Sequence, residues 1–166
     1  GEDVISTPTQ CSCGMTADTK GVHFASCQKW DKRMFRHNQW RDTCAAAVRM
    51  AGMSVQIEVG TSETRQRPGD IAIDGWRNGV KLAVDFGITT QMDAAAPDRM
   101  AQAKHLAYDS LCARNHMDFT AVIADAYGAV RGEGSSFLNT LSKLIKEKAG
   151  TGIYPTPQDI FWRGMS

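Results

Sequence analysis

Four soft donors crowd the start of the chain, where Cys11, Cys13, His23 and Cys27 follow one another in a Cys-x-Cys…His-x3-Cys pattern. Three thiolates and one imidazole are the ligand mix that tetrahedral zinc takes in closed structural sites. Gly14 and Gly21 fall where the backbone has to turn tightly around such an ion. Protein fills all four positions and leaves none for water, which argues against a zinc-dependent hydrolase. The plainer reading is two surface cysteines and a buried one with no common ligand. Cys44 and Cys112 bring the total to five, and an odd number with three beside a histidine suits metal binding better than a disulfide framework.

A second set is acidic. Asp70 and Asp85 lie on the two arms of a stretch from Arg67 to Thr90 that reads as a β-hairpin. Ile71 and Ile73 alternate with Asp70, Ala72 and Asp74, and Val80, Leu82 and Val84 alternate with Lys81, Ala83 and Asp85, the period of two-faced strands. Asp74-Gly75 and Asn78-Gly79 supply turn chemistry, so the six residues from Asp74 to Gly79 are expected to reverse the chain. Closure there puts both acids at the same end of the pair. Two carboxylates brought together repel each other, and a divalent cation between them relieves the repulsion; hard oxygen ligands suit Mg²⁺ or Mn²⁺. Glu58 and the carbonyl of Phe86 are candidate additional ligands. The competing reading has the acids capping turns or pairing with surface bases, and Asp74, which opens the turn, belongs there.

Periodicity supplies the elements that must hold these groups. A helix is expected from about Asp31 to Ala51 through a stripe of Met34, Asn38, Arg41, Cys44, Ala45, Val48 and Ala51, with Gly52 as terminator. Its first half is basic: Lys29, Lys32, Arg33, Arg36 and Arg41 outnumber Asp31 and Asp42, which fits either a phosphate-contacting face or a solvated one. Arg36-His37-Asn38 and Trp40 suit packing as well as binding. Ser54 to Val59 alternates as a strand, and a loop leads from it into the hairpin. A second helix runs from about Pro97 to Asn115 with Met100, Ala103, Ala107, Tyr108 and Leu111 as its apolar stripe. Lys104 falls within that stripe, so its ammonium must snorkel outward or meet buried negative charge, for which Asp85 is the natural candidate. Residues 118–125 read as a buried strand, 128–135 as a glycine-containing loop, and Phe137 to Lys148 as an amphipathic helix.

Composition is that of an ordinary globular chain: 166 residues, 42% hydrophobic, 22% charged, net charge +1. That balance excludes a histone-like polycation but leaves a local basic face open. No apolar run is long enough to span a bilayer and no signal-peptide pattern opens the chain, so no membrane partner is expected and the protein reads as soluble and intracellular. The start at Gly1 reads as an excised piece of a longer polypeptide. Residues 1–10 are expected to form a mobile leader, 11–30 a zinc knuckle, 31–150 the main domain and 151–166 a tail with Pro155 and Pro157.

The order helix, strand, strand, strand, helix, strand, with a proline-led acid at the second strand and another acid in the third, resembles the PD-(D/E)xK superfamily. The ordered set is more specific: the Cys-Cys-His-Cys knuckle, then Arg36-His37-Asn38, then Arg67-Pro68-(Gly69)-Asp70, then Asp85 after fourteen intervening residues. It is similar to the restriction-like endonuclease domain of site-specific non-LTR retrotransposons and related mobile-element proteins, over roughly residues 11–128. Two departures stand out. Gly69 interrupts the Pro-Asp pair, and Gly87 stands where that superfamily places a lysine two residues after the second acid. The resemblance implies that the lysine can come from the following helix instead, and Lys104 takes that role here. It implies an α/β restriction-endonuclease-like core with an N-terminal zinc knuckle, and a metal-dependent DNA endonuclease with Asp70, Asp85, Lys104 and Glu58 as its catalytic set. Structural zinc would sit on Cys11, Cys13, His23 and Cys27, and Mg²⁺ or Mn²⁺ on Asp70 and Asp85. DNA would contact Lys29, Lys32, Arg33, Arg36, His37 and Arg41. The implied setting is nuclear, within a polyprotein that carries a reverse transcriptase, with a homodimer as one way to cut both strands. The alternative is a catalytically inactive nucleic-acid-binding or scaffolding module of the same fold.

Overall fold

The computed structural model describes residues 3, 5–27, 29, 32–58, 67–91, 93–125 and 127–149. Among them the elements are β1 (Thr9–Gln10), β2 (Thr16–Ala17), α1 (Val22–Ser26), α2 (Lys32–Met50), β3 (Val55–Ile57), β4 (Ile71–Arg77), β5 (Val80–Ile88), α3 (Ala96–Arg114), β6 (Met117–Ala124) and α4 (Gly132–Ala149). The chain is mixed α/β, with a small hairpin of β1 and β2 and a four-stranded sheet in the order β3-β4-β5-β6. β3, β4 and β5 pair antiparallel, and β6 pairs with β5 in parallel after the α3 crossover. The expected succession from the first long helix to the last is present. The expected tail and the loop between β3 and Arg67 lie outside the described residues.

The central hairpin closes more tightly than its sequence suggests. β4 continues to Arg77 and β5 begins at Val80, so the turn is Asn78-Gly79 alone, with φ of 53° and 80°. Positive φ at both central residues matches the twist of the flanking strands, whereas a six-residue loop would leave backbone groups of Asp74 to Arg77 unpaired. Asp74-Gly75 therefore does not turn the chain. It falls where the register shifts between Ile73 and Arg77. The Asp74 carboxylate pairs with Lys81 across the hairpin at 3.0 Å.

Helices cover both faces of the sheet. On one face Trp40, Cys44, Ala47 and Val48 of α2 and Phe137, Leu138, Leu141 and Ile145 of α4 pack on Val84, Phe86 and Val122. The Trp40 and Phe86 rings lie 5.0 Å apart, which fixes α2 against the end of β5. Of the stripe expected on α2, Cys44, Ala45 and Val48 are buried, but Met34 is 59% exposed and Trp40 takes its place in the core, because enclosing the indole removes more apolar area from water than enclosing a thioether.

Alternation along β5 sends Asp85 and Gly87 to the opposite face, where α3 packs on β5 and β6. The α3 stripe is met at Leu111, which is buried, and at Met100, Lys104 and Tyr108, which are half-buried, whereas Ala103 and Ala107 are exposed and Pro97 and Cys112 are buried outside it. Tyr108 and His105 flank the ring of Phe119, and that aromatic contact orients the helix. α4 begins at Gly132, inside the stretch expected as loop. A side chain at Gly134 would meet the Val130 side chain at 2.8 Å and the Val122 backbone at 3.1 Å, so this glycine lets the helix start pressed onto β6. His105 joins the layers at the sheet edge. Its ring nitrogens lie 2.8 Å from Asp109 of α3 and 2.7 Å from Glu133 of α4, and Glu133 also accepts from the Thr120 hydroxyl of β6 at 3.0 Å.

Candidate functional site

The N-terminal donors come from three short pieces of backbone. Cys11 and Cys13 sit in the turn joining β1 to β2, where the Cys11 amide donates to Met15, the Gly14 amide donates to Cys11, and Gly14 takes a φ of 91°. His23 lies in α1, whose first amides donate to the Asp18 carboxylate, and the Cys27 amide donates to the His23 carbonyl at 2.7 Å. The four ligand atoms fall within 4.8 Å of one another. A zinc tetrahedron with bonds near 2.3 Å has sulfur–sulfur edges of about 3.8 Å. Cys11 Sγ and Cys27 Sγ are 3.8 Å apart and Cys13 Sγ is 3.2 Å from His23 Nε2, so the set fits that ion and could bind it. The Cys11 thiol is drawn down to about 6, first by the Cys13 backbone amide and then by His23, which favours the thiolate a metal needs. Lys29 Nζ donates to the Ser12 carbonyl and braces the cysteine turn from outside.

At the open end of the hairpin the acids meet. Asp70 lies just before β4, beyond the last paired residues Ile71 and Val84, and its amide donates to the Val84 carbonyl at 2.9 Å. Gly69 makes this approach possible: a Cβ there would sit 2.8 Å from the Val84 oxygen, against backbone that cannot yield. The glycine that breaks the Pro-Asp pair in the sequence thus lays the chain flat on β5. The Asp70 carboxylate then accepts from the Phe86 amide at 2.7 Å and lies 3.0 Å from His37 Nε2 of α2, both through Oδ2. Asp85 bonds the Lys104 ammonium. Asp70 and Asp85 are neighbours that shift each other's titration, which sets out the line His37, Asp70, Asp85, Lys104. These side chains are 26%, 19%, 13% and 23% exposed, so water screens them only partly.

The acids respond in opposite senses. Burial alone would raise Asp70, but the His37 imidazole and the Phe86 amide outweigh it and its pKa falls below the ordinary value. For Asp85 burial dominates and, with the charge of Asp70, pushes the pKa up to about 6 against the pull of Lys104. Below about pH 6 the pair therefore keeps one proton, on Asp85. His37 is raised, chiefly by its bond to Asp70. The sequence placed His37 among the DNA contacts; the structure puts it on the first acid, and its position in Arg36-His37-Asn38 was the only sign.

The remaining candidates lie further out. Glu58 takes a φ of 54° at the end of β3 and turns its carboxylate to Arg41 at 2.9 Å and Arg67 at 2.6 Å. The acid site thus offers two carboxylates: among the described residues the cysteine–histidine set is the one group of three or more His, Cys, Asp or Glu with ligand atoms close enough to share an ion. Mg²⁺ commonly needs no more protein ligands than that, keeping waters and taking substrate phosphates for the rest. Arg41 is spent internally on Asp42 and Glu58 with 12% of its side chain exposed, and burial lowers the pKa of Arg36. The side chains of Lys32 and Arg33 lie outside the described part. Among the described residues no helix is long and apolar enough to cross a membrane. Compared with family models and with curated proteins, the chain matches neither a family model nor a curated protein.

Proposed function

We propose that the chain is a metal-dependent DNA endonuclease domain, with Asp70 and Asp85 holding Mg²⁺ or Mn²⁺ and Lys104 as the catalytic cation, carried beside a zinc-binding knuckle in a mobile-element polyprotein. The observation that carries this reading is the pair of facing, largely buried carboxylates with a lysine bonded to one of them. An isolated buried ammonium or an unrelieved acid pair is unfavourable, so their coexistence at one open strand end is costly unless the site is used. A divalent ion bound there supplies Lewis acidity to a phosphate oxygen and lowers the pKa of an attacking water. Asp70 and Asp85 present the oxygens, and His37 and the Phe86 amide keep Asp70 aimed at its partner. Lys104 meets the negative charge that grows on the phosphate as the bond breaks. Asp70 and Asp85 would hold the ion as carboxylates, and Lys104, bonded to Asp85, would stay at the edge of the site toward the substrate.

Nicking of supercoiled plasmid tests this. The parent is expected to nick with Mg²⁺ or Mn²⁺ and to stop in EDTA, while Asp70→Ala, Asp85→Ala and Lys104→Met lose nicking by about a hundredfold or more and keep DNA affinity near the parent value. Normal cutting by both aspartate variants would refute the assignment. One observation favours the inactive scaffold instead: both acids already have basic partners, and Glu58 is held by two arginines. That reading expects no nicking under any metal.

A further inference from the structure

Gly87 is buried on β5, two residues after Asp85 and on the same face. It floors a cleft of about 360 Å³ whose walls include Met34 and His37 of α2, Phe86 of β5, and Met100 and Lys104 of α3. A Cβ at position 87 would lie 2.8 Å from Ile123 Cδ1, 3.0 Å from Met100 Sδ and 3.2 Å from Lys104 Cε. Carbon atoms at rest stand about 3.5–4.0 Å apart, so all three contacts are too close. The last falls on the carbon that carries the ammonium bonded to Asp85.

We infer that Gly87 is the positioning residue for Lys104: its missing side chain is the volume through which the lysine stem reaches Asp85 from α3. The inference rests on the nuclease reading for its catalytic consequence, but the placement of the ammonium stands apart from it. Positions 87 and 104 share one space, so it admits a long side chain from the strand or from the helix, not from both. A methyl group at 87 pushes Cε outward, and Met100 on the neighbouring side limits where the stem can go. Relief of the 3.2 Å contact takes a shift of a few tenths of an ångström at Cε, which lengthens the bond from the ammonium to Asp85.

The test is best made on an Ile123→Val background, which removes the methyl carbon nearest to position 87 and leaves Met100 and Lys104 as the close contacts. Lysine ¹⁵Nζ NMR reads the ammonium directly, because a lysine held on a buried carboxylate exchanges its protons slowly whereas a solvated one does not. Ile123→Val alone is expected to keep the slow Lys104 signal and the nicking activity. Adding Gly87→Ala should remove that signal and lower nicking, with zinc content and thermal midpoint still those of the background. Gly87→Lys combined with Lys104→Ala should nick better than Lys104→Ala, since the strand lysine then fills the shared space. An unchanged Lys104 signal in the Gly87→Ala protein overturns the inference, as does a parent that lacks the slow signal. If no protein nicks but Gly87→Ala still removes the signal, the nuclease reading fails and the positioning role stands.

Discussion

Asp85 carries the most direct consequence of the site for pH. Its folded pKa lies above its ordinary value, so the folded state binds that proton more tightly than the unfolded chain does. Stability from this group is fully present below the ordinary carboxylate pKa of about 4 and is lost as pH rises through about 6. Asp70, lowered, acts in the opposite sense: its contribution is present above its ordinary pKa and is lost on acidification. Without added Mg²⁺ or Mn²⁺, Asp85→Asn is therefore expected to gain in thermal midpoint relative to the parent between about pH 4 and 6, a trend that a pH series of melting curves measures. Affinity for Mg²⁺ should fall below about pH 6 in the parent, where the dyad keeps its proton. A parent and an Asp85→Asn protein with parallel pH profiles would mean that the acids titrate independently.

At the scale of elements the two ends of the chain are held by different forces. β1, β2 and α1 have two, two and five residues, too few to nucleate or bury a core of their own. Cys11, Cys13, His23 and Cys27 are placed to share an ion, and an ion there would order them. Cys27→Ser should release zinc and abolish amide protection from Thr9 to Cys27, while the amides of β4 and β5 stay protected in hydrogen exchange. α3 and α4 are instead tied by His105 between Asp109 and Glu133. Burial alone would lower the pKa of His105, but the two carboxylates outweigh it and the net shift is upward. Its contribution is then fully present below the ordinary histidine pKa of about 6.5 and is lost as pH rises through the raised value. His105→Gln should flatten the fall in urea midpoint on going from about pH 6 to 8.5, and an unchanged slope would place the stabilising protons elsewhere.

For the whole molecule, legibility followed the strength of the local signal. The central strands could be read because isoleucine and valine alternate there with polar residues, and Asn78-Gly79 is a strong turn pair. The inward lysine was legible for the same kind of reason: it interrupts an apolar stripe. The exact face of α3 was not, because alanines lie all around that helix and carry no phase, so only contact with Phe119 and β6 fixes its rotation. The start of α4 was hidden by Gly132 and Gly134, which look like loop; Gly132 takes a φ of 56° and Gly134 serves close packing. α1 and the β1/β2 hairpin are too short to show a period. The roles of Gly69 and Gly87 lie in what they leave out, and a sequence does not show which atoms press on a missing side chain.

The tight turn at Asn78-Gly79 has a practical consequence. It caps the hairpin at the end away from Asp70 and Asp85, and Val80 to Asp85 spans about 17 Å of strand. Asn78 and Gly79 are exposed, and ideal Cβ placement at Gly79 meets open space. A fluorophore carried on a residue in place of Asn78, with Gly79 kept for its φ of 80°, would ride on the rigid arms of the sheet as a reporter, far from the acids and linked to them by two continuous strands.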